Sequence, residues 1–414
     1  MKFKTLGCRL NTFETETIKS IAEKNNFKDL ILVNTCAVTQ EAARNSKKYV
    51  RQLKRKNPNK KMVVTGCDVQ IDPAKYENMN EVDIVLGNSE KLSEATWKKI
   101  ANSKKKKQKF YREHKNIGHL VSKSVPNFTN RSRAYLEIQN GCDHSCTFCI
   151  IPQGRGKSRS TSPKRILEKV KSFIEMGFKE IVLTGVDITA WGKDIEESKS
   201  LGDLVELILL ENPTLSRLRL SSLDISEIDE KLIRLFKKEY RLMPHLHLSL
   251  QSGNNMILKR MKRRHSREET IELCNKLREA RPELTFGADL IAGFPTENED
   301  MFNDTLNLVS ECAITWLHIF PYSSRQGTPA SRMPQVQREI ILKRAESLRK
   351  HASERKKMHF SNLVNKRINV LMETKFNGRS EDFTQVKVNK ALVPGEIYQL
   401  TADDFNSESL IANN

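Results

Sequence analysis

Cys142, Cys146 and Cys149 stand in the stretch Gly141-Cys-Asp-His-Ser-Cys-Thr-Phe-Cys-Ile150, a Cys-x-x-x-Cys-x-x-Cys run. Three thiolates so spaced can ligate three irons of a cubane iron–sulfur cluster and leave the fourth iron with a free position. Such an iron can bind a substrate and pass it an electron, whereas a fully ligated one mainly shuttles electrons. A zinc site usually offers paired Cys-x-x-Cys hooks supplying four ligands. Here no fourth cysteine is close by, and His144 lies inside the loop. A second set of three, Cys8, Cys36 and Cys67, lies far upstream, and each follows an apolar run: Leu6-Gly-Cys8, Val33-Asn-Thr-Cys36 and Val64-Thr-Gly-Cys67. Cys274 and Cys312 fall in or after helical patterns and read as small core residues.

Around these residues the chain has 414 positions, 38% hydrophobic and 29% charged, enough for several domains with a sizeable core. No 18-residue apolar stretch suggests a membrane span, and the first residues carry no signal-peptide pattern, so a cytoplasmic location is expected. Eight cysteines in that compartment are metal ligands or buried spares rather than disulfides. Lys and Arg total 71 against 51 acids, a net charge of +20 that favours a polyanionic partner.

The elements that must position the cysteines follow from periodicity. Phe3–Leu6, Leu30–Asn34, Met62–Thr65 and Val82–Leu86 read as buried strands, with helical patterns over Asn11–Lys24, Thr39–Lys54 and Ser89–Ala101. Asn11 followed by Glu14 reads as a capping box opening the first helix. The alternation predicts an open parallel sheet with helices on both faces, whose strand ends share one edge where three cysteines can converge. Ser103–Pro126, with its run Lys104-Lys-Lys-Lys107, reads as a linker. A second alternation offers strands at Ala134–Gln139, Glu180–Thr184, Ser216–Ser221, His245–Leu250, Thr285–Ile291 and Thr315–Phe320. Six such units predict a parallel barrel or half-barrel with its chemistry on the loops after the strands. Residues 334–360 read as one long basic helix. Arg367–Glu373, Thr384–Val388 and Glu396–Thr401 read as strands of a small β-module, with turns at Asn377-Gly378 and Pro394-Gly395 and an acidic tail after Ala402. The expected division is 1–102, a linker at 103–127, a core at 128–360 and a β-module at 361–414.

Cys142-x-x-x-Cys146-x-Phe148-Cys149 after the first barrel strand resembles the cluster loop of radical S-adenosylmethionine enzymes. The resemblance implies a partial (β/α)6 barrel and a 4Fe-4S cluster whose open iron chelates S-adenosylmethionine, cleaved by one electron to a 5′-deoxyadenosyl radical. It places Phe148 beside the adenine, the loop bearing Gly185 and Asp187 near the methionyl amine, and Asp289-Leu-Ile-Ala-Gly293-Phe-Pro295 near the adenine. Glycine at such strand ends would admit the nucleotide closely. Gln251 and Arg264 are candidate contacts to S-adenosylmethionine or substrate.

The chain as a whole is similar to methylthiotransferases. The matching strings include Thr5-Leu-Gly-Cys-Arg-Leu-Asn11, Asn34-Thr-Cys-Ala-Val38, Thr65-Gly-Cys67, Ile151-Pro-x-x-Arg155-Gly-x-x-Arg159-Ser160, Leu248-Ser-Leu-Gln-Ser-Gly253 and Phe320-Pro-Tyr-Ser323. The family implies that Cys8, Cys36 and Cys67 hold a second 4Fe-4S cluster carrying the sulfur to be inserted, and that the C-terminal module is a TRAM-like β-barrel. It implies the tRNA anticodon stem-loop and an electron-donor reductase as partners. Thr5–Glu14 is most similar to the branch acting on threonylcarbamoyl-adenosine at tRNA position 37. Two alternatives stay open: the same chemistry on isopentenyl-adenosine or a ribosomal protein, and a non-catalytic metal-cluster RNA-binding protein. Arg260, Lys262, Arg263, Arg264 and Arg267, and the 343–357 stretch, read as phosphate-positioning charges.

Overall fold

The computed structural model of the chain describes residues 1–103, 105–112, 128, 131–196 and 199–413. Five parallel strands form the first sheet, in the order β1 (Lys2–Thr5), β2 (Leu30–Thr35), β3 (Lys61–Gly66), β4 (Ile84–Leu86) and β5 (Gln108–Phe110). The central strands β2, β3 and β4 are largely apolar because both faces are covered, whereas the edge strands β1 and β5 are mixed and partly exposed. Leu30, Leu32, Val63, Ile84 and Leu86 pack on one side, and Ile31, Val33, Met62, Val64 and Val85 on the other. Strand β5 lies inside the stretch read as a linker; the rest of that stretch at 104 and 113–127 is outside the described residues.

The first helix, Arg9–Lys24, starts at Cys8 and not at Asn11. The capping-box reading is therefore corrected. Asn11 and Glu14 are buried inside the first turns, where tertiary partners take their side chains. Leu10 and Phe13 of this helix join the central core.

That core belongs to six parallel β/α units. Strands β6 (Arg133–Glu137), β9 (Glu180–Thr184) and β10 (Arg217–Leu220) make one sheet. Strands β11 (Ser222–Leu223), β12 (His245–Gln251), β13 (Thr285–Ala292) and β14 (Trp316–Pro321) make the next. The helix Pro163–Glu175 starts at Ser162 with proline in its first turn and buries Ile166, Val170 and Phe173. Along each strand the side chains alternate. Leu136, Ile181, Leu183, Leu218, Leu246, Leu248 and Phe286 face the helices in one apolar core. The intervening positions are polar: Arg133, Glu137, Glu180, Arg217, Arg219, His245 and His247, all buried on the opposite, lumen side.

Between β6 and β9 a short pair, β7 (Gln139–Asn140) and β8 (Arg159–Ser160), closes antiparallel around residues 141–158. The last part of the chain is a closed barrel of β15 (Arg367–Met372), β16 (Asn377–Ser380), β17 (Gln385–Val388), β18 (Ile397–Phe405) and β19 (Leu410–Asn413). Asn377-Gly378, read as a turn, opens β16. The acidic tail is not a tail, because β18 runs through Ala402–Phe405 and β19 closes the barrel.

Candidate active site: two cysteine triads joined by an arginine

In the first sheet, Thr5 registers with Asn34 and Thr35 with Gly66, so β1, β2 and β3 end level. Cys8, Cys36 and Cys67 follow those ends, and the three thiols lie close enough to act electrostatically on one another. Burial pushes the Cys36 thiol up to about 12, with Cys67 and Cys8 adding to the rise. Gly7 is at φ +90°, and a methyl group there would sit 2.6 Å from Cys36 Sγ, so only glycine lets the chain pass this thiol.

The other triad occupies the loop closed by β7 and β8. Burial, with a smaller contribution from neighbouring thiols, raises Cys142 to about 12 and Cys149 to about 11. Cys67 of the first triad also acts electrostatically on Cys149. N–H groups already point at sulfur. The His144 amide donates to Cys142 Sγ at 3.4 Å, Arg263 Nη1 to Cys146 Sγ at 3.6 Å and the Val38 amide to Cys36 Sγ at 3.5 Å. Three soft thiol donors per site with N–H groups aimed at them suit iron–sulfur ligation, where such hydrogen bonds set the cluster's potential.

Arg155 ends the short helix Ile151–Arg155 that follows Cys149. Its Nε donates to Cys67 Sγ at 3.2 Å, Nη1 to Glu14 Oε1 at 2.9 Å and Nη2 to Asn11 Oδ1 at 2.7 Å. Lys91 Nζ reaches Glu14 from the other side at 2.5 Å. Burial opposes ionisation of Glu14, but Arg155 and Lys91 prevail and hold its carboxyl down to about 2. Sequence reading quoted Arg155 only within a motif and missed Glu14 and Lys91 as its frame. The pattern Asn-x-x-Glu looked complete as a local cap.

The remaining expected contacts are held by interactions of their own. Asp187 lies 2.6 Å from His144 Nε2 and receives the Thr189 hydroxyl, and the amides of Val186 and Asp187 donate to Gln139 Oε1. Gly185 packs against Gln139, where a methyl group would come within 2.6 Å of its carbonyl. Gln251 sits at the end of β12 after a register shift, at φ +69°. Gly293, at φ +72°, makes room for Ile341 of the long helix Arg338–Ser361. Its conformation is thus already required by packing, not only by a nucleotide. Phe148 stands edge-on to Phe294 at 6.4 Å within an apolar cluster with Ile257, Met261 and Tyr322.

Arg264 donates to Glu227 at 2.7 Å and meets His144 at 2.9 Å, beside the cysteine loop. The reading of its neighbours as phosphate contacts is corrected. Arg263 is bound to Asp224 at 2.8 Å, Arg267 to the Asp304 carbonyl at 2.8 Å, and Arg260 to Thr296 at 2.7 Å; Lys262 is exposed. In the 343–357 stretch Arg344 is likewise buried, 2.9 Å from Glu297.

Fold and site together define a radical S-adenosylmethionine enzyme with an additional N-terminal cysteine domain. Residues 136–309 match the radical SAM superfamily and residues 1–87 match the uncharacterized protein family UPF0004. The chain is 45% identical to the threonylcarbamoyladenosine tRNA methylthiotransferase MtaB of Rickettsia prowazekii over 95% of this chain and 93% of that protein. It is 30% identical to the tRNA-2-methylthio-N(6)-dimethylallyladenosine synthase of Oceanobacillus iheyensis, over 89% of this chain and 74% of that one. The radical S-adenosylmethionine methyltransferase TsrM of Kitasatospora setae shares the fold, with TM-score 0.53 at 15% identity over 78% of this chain and 67% of that one. The chain belongs to the MtaB family of methylthiotransferases.

Proposed function

We propose that this chain inserts a methylthio group at C2 of N6-threonylcarbamoyladenosine, the base 3′ of the anticodon in tRNA. The single observation that carries the reading is the link between the two triads, with Arg155 of one cysteine loop bonded to Cys67 of the other set. Cys142, Cys146 and Cys149 would hold the 4Fe-4S cluster that binds S-adenosylmethionine, and Cys8, Cys36 and Cys67 the cluster that presents sulfur. When bound, these groups supply a carbon radical and a nucleophilic sulfur, the pair needed to functionalise an aromatic C–H bond.

The protein's own part is placement. Arg155, Asn11 and Glu14 fix the distance between the two loops, which matters because reacting atoms must be held near contact. Asp187, Gln251, Arg264, Phe148, Gly185 and Gly293 are the proposed contacts to S-adenosylmethionine. No helix among the described residues is long and apolar enough to cross a membrane. A cytoplasmic site of action, with a reductase as electron donor, completes the proposal.

Deleting the gene and profiling tRNA nucleosides by mass spectrometry tests it. Loss of the methylthiolated nucleoside with accumulation of threonylcarbamoyladenosine is expected. Loss of methylthio-isopentenyladenosine instead would move the activity to the other branch. One or two zinc ions per chain, in place of about eight irons, would remove the enzyme altogether.

A further inference from the structure

Phe383 of the C-terminal barrel has four guanidinium groups around its ring. Arg379 lies 4.3 Å from the centroid, Arg219 5.0 Å, Arg9 5.5 Å and Arg133 5.6 Å. They come from three parts of the chain. Arg9 follows Cys8, Arg133 and Arg219 stand on the lumen face of β6 and β10, and Arg379 is on β16. Arg217 is a fifth cation, 3.7 Å from Glu180.

The carboxylates facing them are fewer. Glu180 accepts from Arg133 and Arg219 at 2.7 Å each, Glu373 pairs with Arg133 and lies 3.6 Å from Arg379, and Glu381 acts on Arg217. Five cations thus meet three carboxylates. Arg9 has no ion pair among the described residues. Among the described residues Arg133 Nη2 and Arg219 Nη1 have no hydrogen-bond partner, and both side chains are more than nine-tenths buried. Burying unmatched guanidinium groups is costly unless an anion joins them. On the outer side Arg379 also lines a cavity of about 340 Å³ with Trp316, His318 and Lys356, so the cluster adjoins an opening at the edge of the half-barrel.

We propose that this cluster is the subsite for the carboxylate of the threonylcarbamoyl group on the target adenine, an inference that rests on the function proposed above. The cluster begins one residue from a sulfur-triad cysteine and faces the half-barrel lumen. Guanidinium forks match a carboxylate bidentately. An isopentenyl group would leave the same donors buried and unpaired, which is how a polar pocket rejects an apolar analogue.

The shared ligand chemistry is an oxyanion, and a backbone phosphate of the RNA is the competing source. The test measures the Kd of the cluster-loaded protein for three anticodon stem-loops: one with threonylcarbamoyladenosine, one with its neutral methyl ester, and one unmodified. The acid is expected to bind roughly ten- to a hundredfold tighter than the ester, the range of hydrogen bonds to charged groups. Arg9→Gln collapses that ratio and Arg9→Lys restores part of it. Arg379→Gln, on the opposite rim, is the second variant should Arg9→Gln fold poorly. Equal affinity of the wild type for acid and ester overturns the subsite. Equal weakening of all three RNAs by Arg9→Gln overturns it too, in favour of a phosphate. A wild type that binds none of the three overturns the tRNA assignment itself, and the subsite with it.

Discussion

Arg155 Nε lies 3.2 Å from Cys67 Sγ, so a side chain six residues beyond Cys149 donates to a thiol of the other triad. The same guanidinium is held by Asn11 and Glu14 of the first helix. One buried residue therefore sets the separation and the mutual orientation of the two cysteine loops.

Replacing it should cost both stability and cluster content. Arg155→Ala leaves Glu14 buried with Lys91 as its remaining cation, and breaking a buried pair from one side costs about 3–5 kcal/mol. Arg155→Lys keeps the charge but not the fork, and should fall between. Denaturant unfolding reads the stability. Iron analysis should show the content dropping from about eight toward four per chain, with the loss from the Cys8 set.

The two triads should fail separately. Cys36→Ala is expected to lower iron to about half while S-adenosylmethionine is still cleaved. Cys149→Ala should also lose about half the iron but abolish that cleavage. Release of 5′-deoxyadenosine distinguishes the two. Cleavage abolished in both variants would mean that the triads do not act as two centres.

Gly7 gives a steric check that removes no ligand. A methyl group there would sit 2.6 Å from Cys36 Sγ and 2.8 Å from its Cβ, at φ +90°. Gly7→Ala should destabilise by more than ~1 kcal/mol through strain alone and displace Cys36 from the set. Iron content should fall as in Cys36→Ala although all six cysteines remain.

Much of this arrangement was legible in the sequence, for a definite reason. Strands β2 and β3 are largely apolar runs followed by cysteines, β1 is a shorter mixed strand that Cys8 follows, and level strand ends follow from a parallel sheet. What was hidden depended on distance in space. Asn11 and Glu14 satisfy a local capping pattern, and only the fold brings Arg155 across from residue 155 to claim them. Arg260, Arg263 and Arg267 look like a phosphate cluster until Thr296, Asp224 and Asp304 arrive from other elements. The arginines around Phe383 are scattered from Arg9 to Arg379, and no window of sequence contains them.

Acid stability should reveal how the C-terminal barrel is held. Asp382 is largely shielded from solvent, which opposes its charge, but His359 at 2.8 Å and the Ser380 hydroxyl hold its carboxyl down to about 2. A carboxyl whose pKa is lower folded than unfolded stabilises above its ordinary value of 3.8 and loses that contribution as pH falls toward 2. The difference is worth roughly 2 kcal/mol. Asp382→Asn should therefore lower stability at pH 6 and converge with the wild type near pH 2, followed by chemical denaturation at each pH.

A basic stripe that sequence reading passed over should carry part of the RNA affinity. Arg44, Lys48, Arg51 and Arg55 are all exposed and fall at i, i+4, i+7 and i+11 on the helix Gln40–Lys56, so they share one face. That helix starts just after Cys36, and Gln40 Nε2 donates to the Ser324 carbonyl at 2.6 Å, which ties its N-terminus to the loop after β14. The stripe thus starts at the edge where the cysteines gather and points into solvent. Among the described residues only Arg51 of the four has an acid nearby, Glu81 at 3.9 Å, too far and too exposed to neutralise it. Replacing the four by alanine should change unfolding stability little, since exposed positions seldom matter. It should flatten the plot of log affinity for tRNA against log salt by about three, at roughly 0.7–0.9 for each phosphate no longer neutralised. An unchanged slope would move the RNA backbone elsewhere, first to the exposed Lys343, Lys350 and Lys357 of the helix Arg338–Ser361.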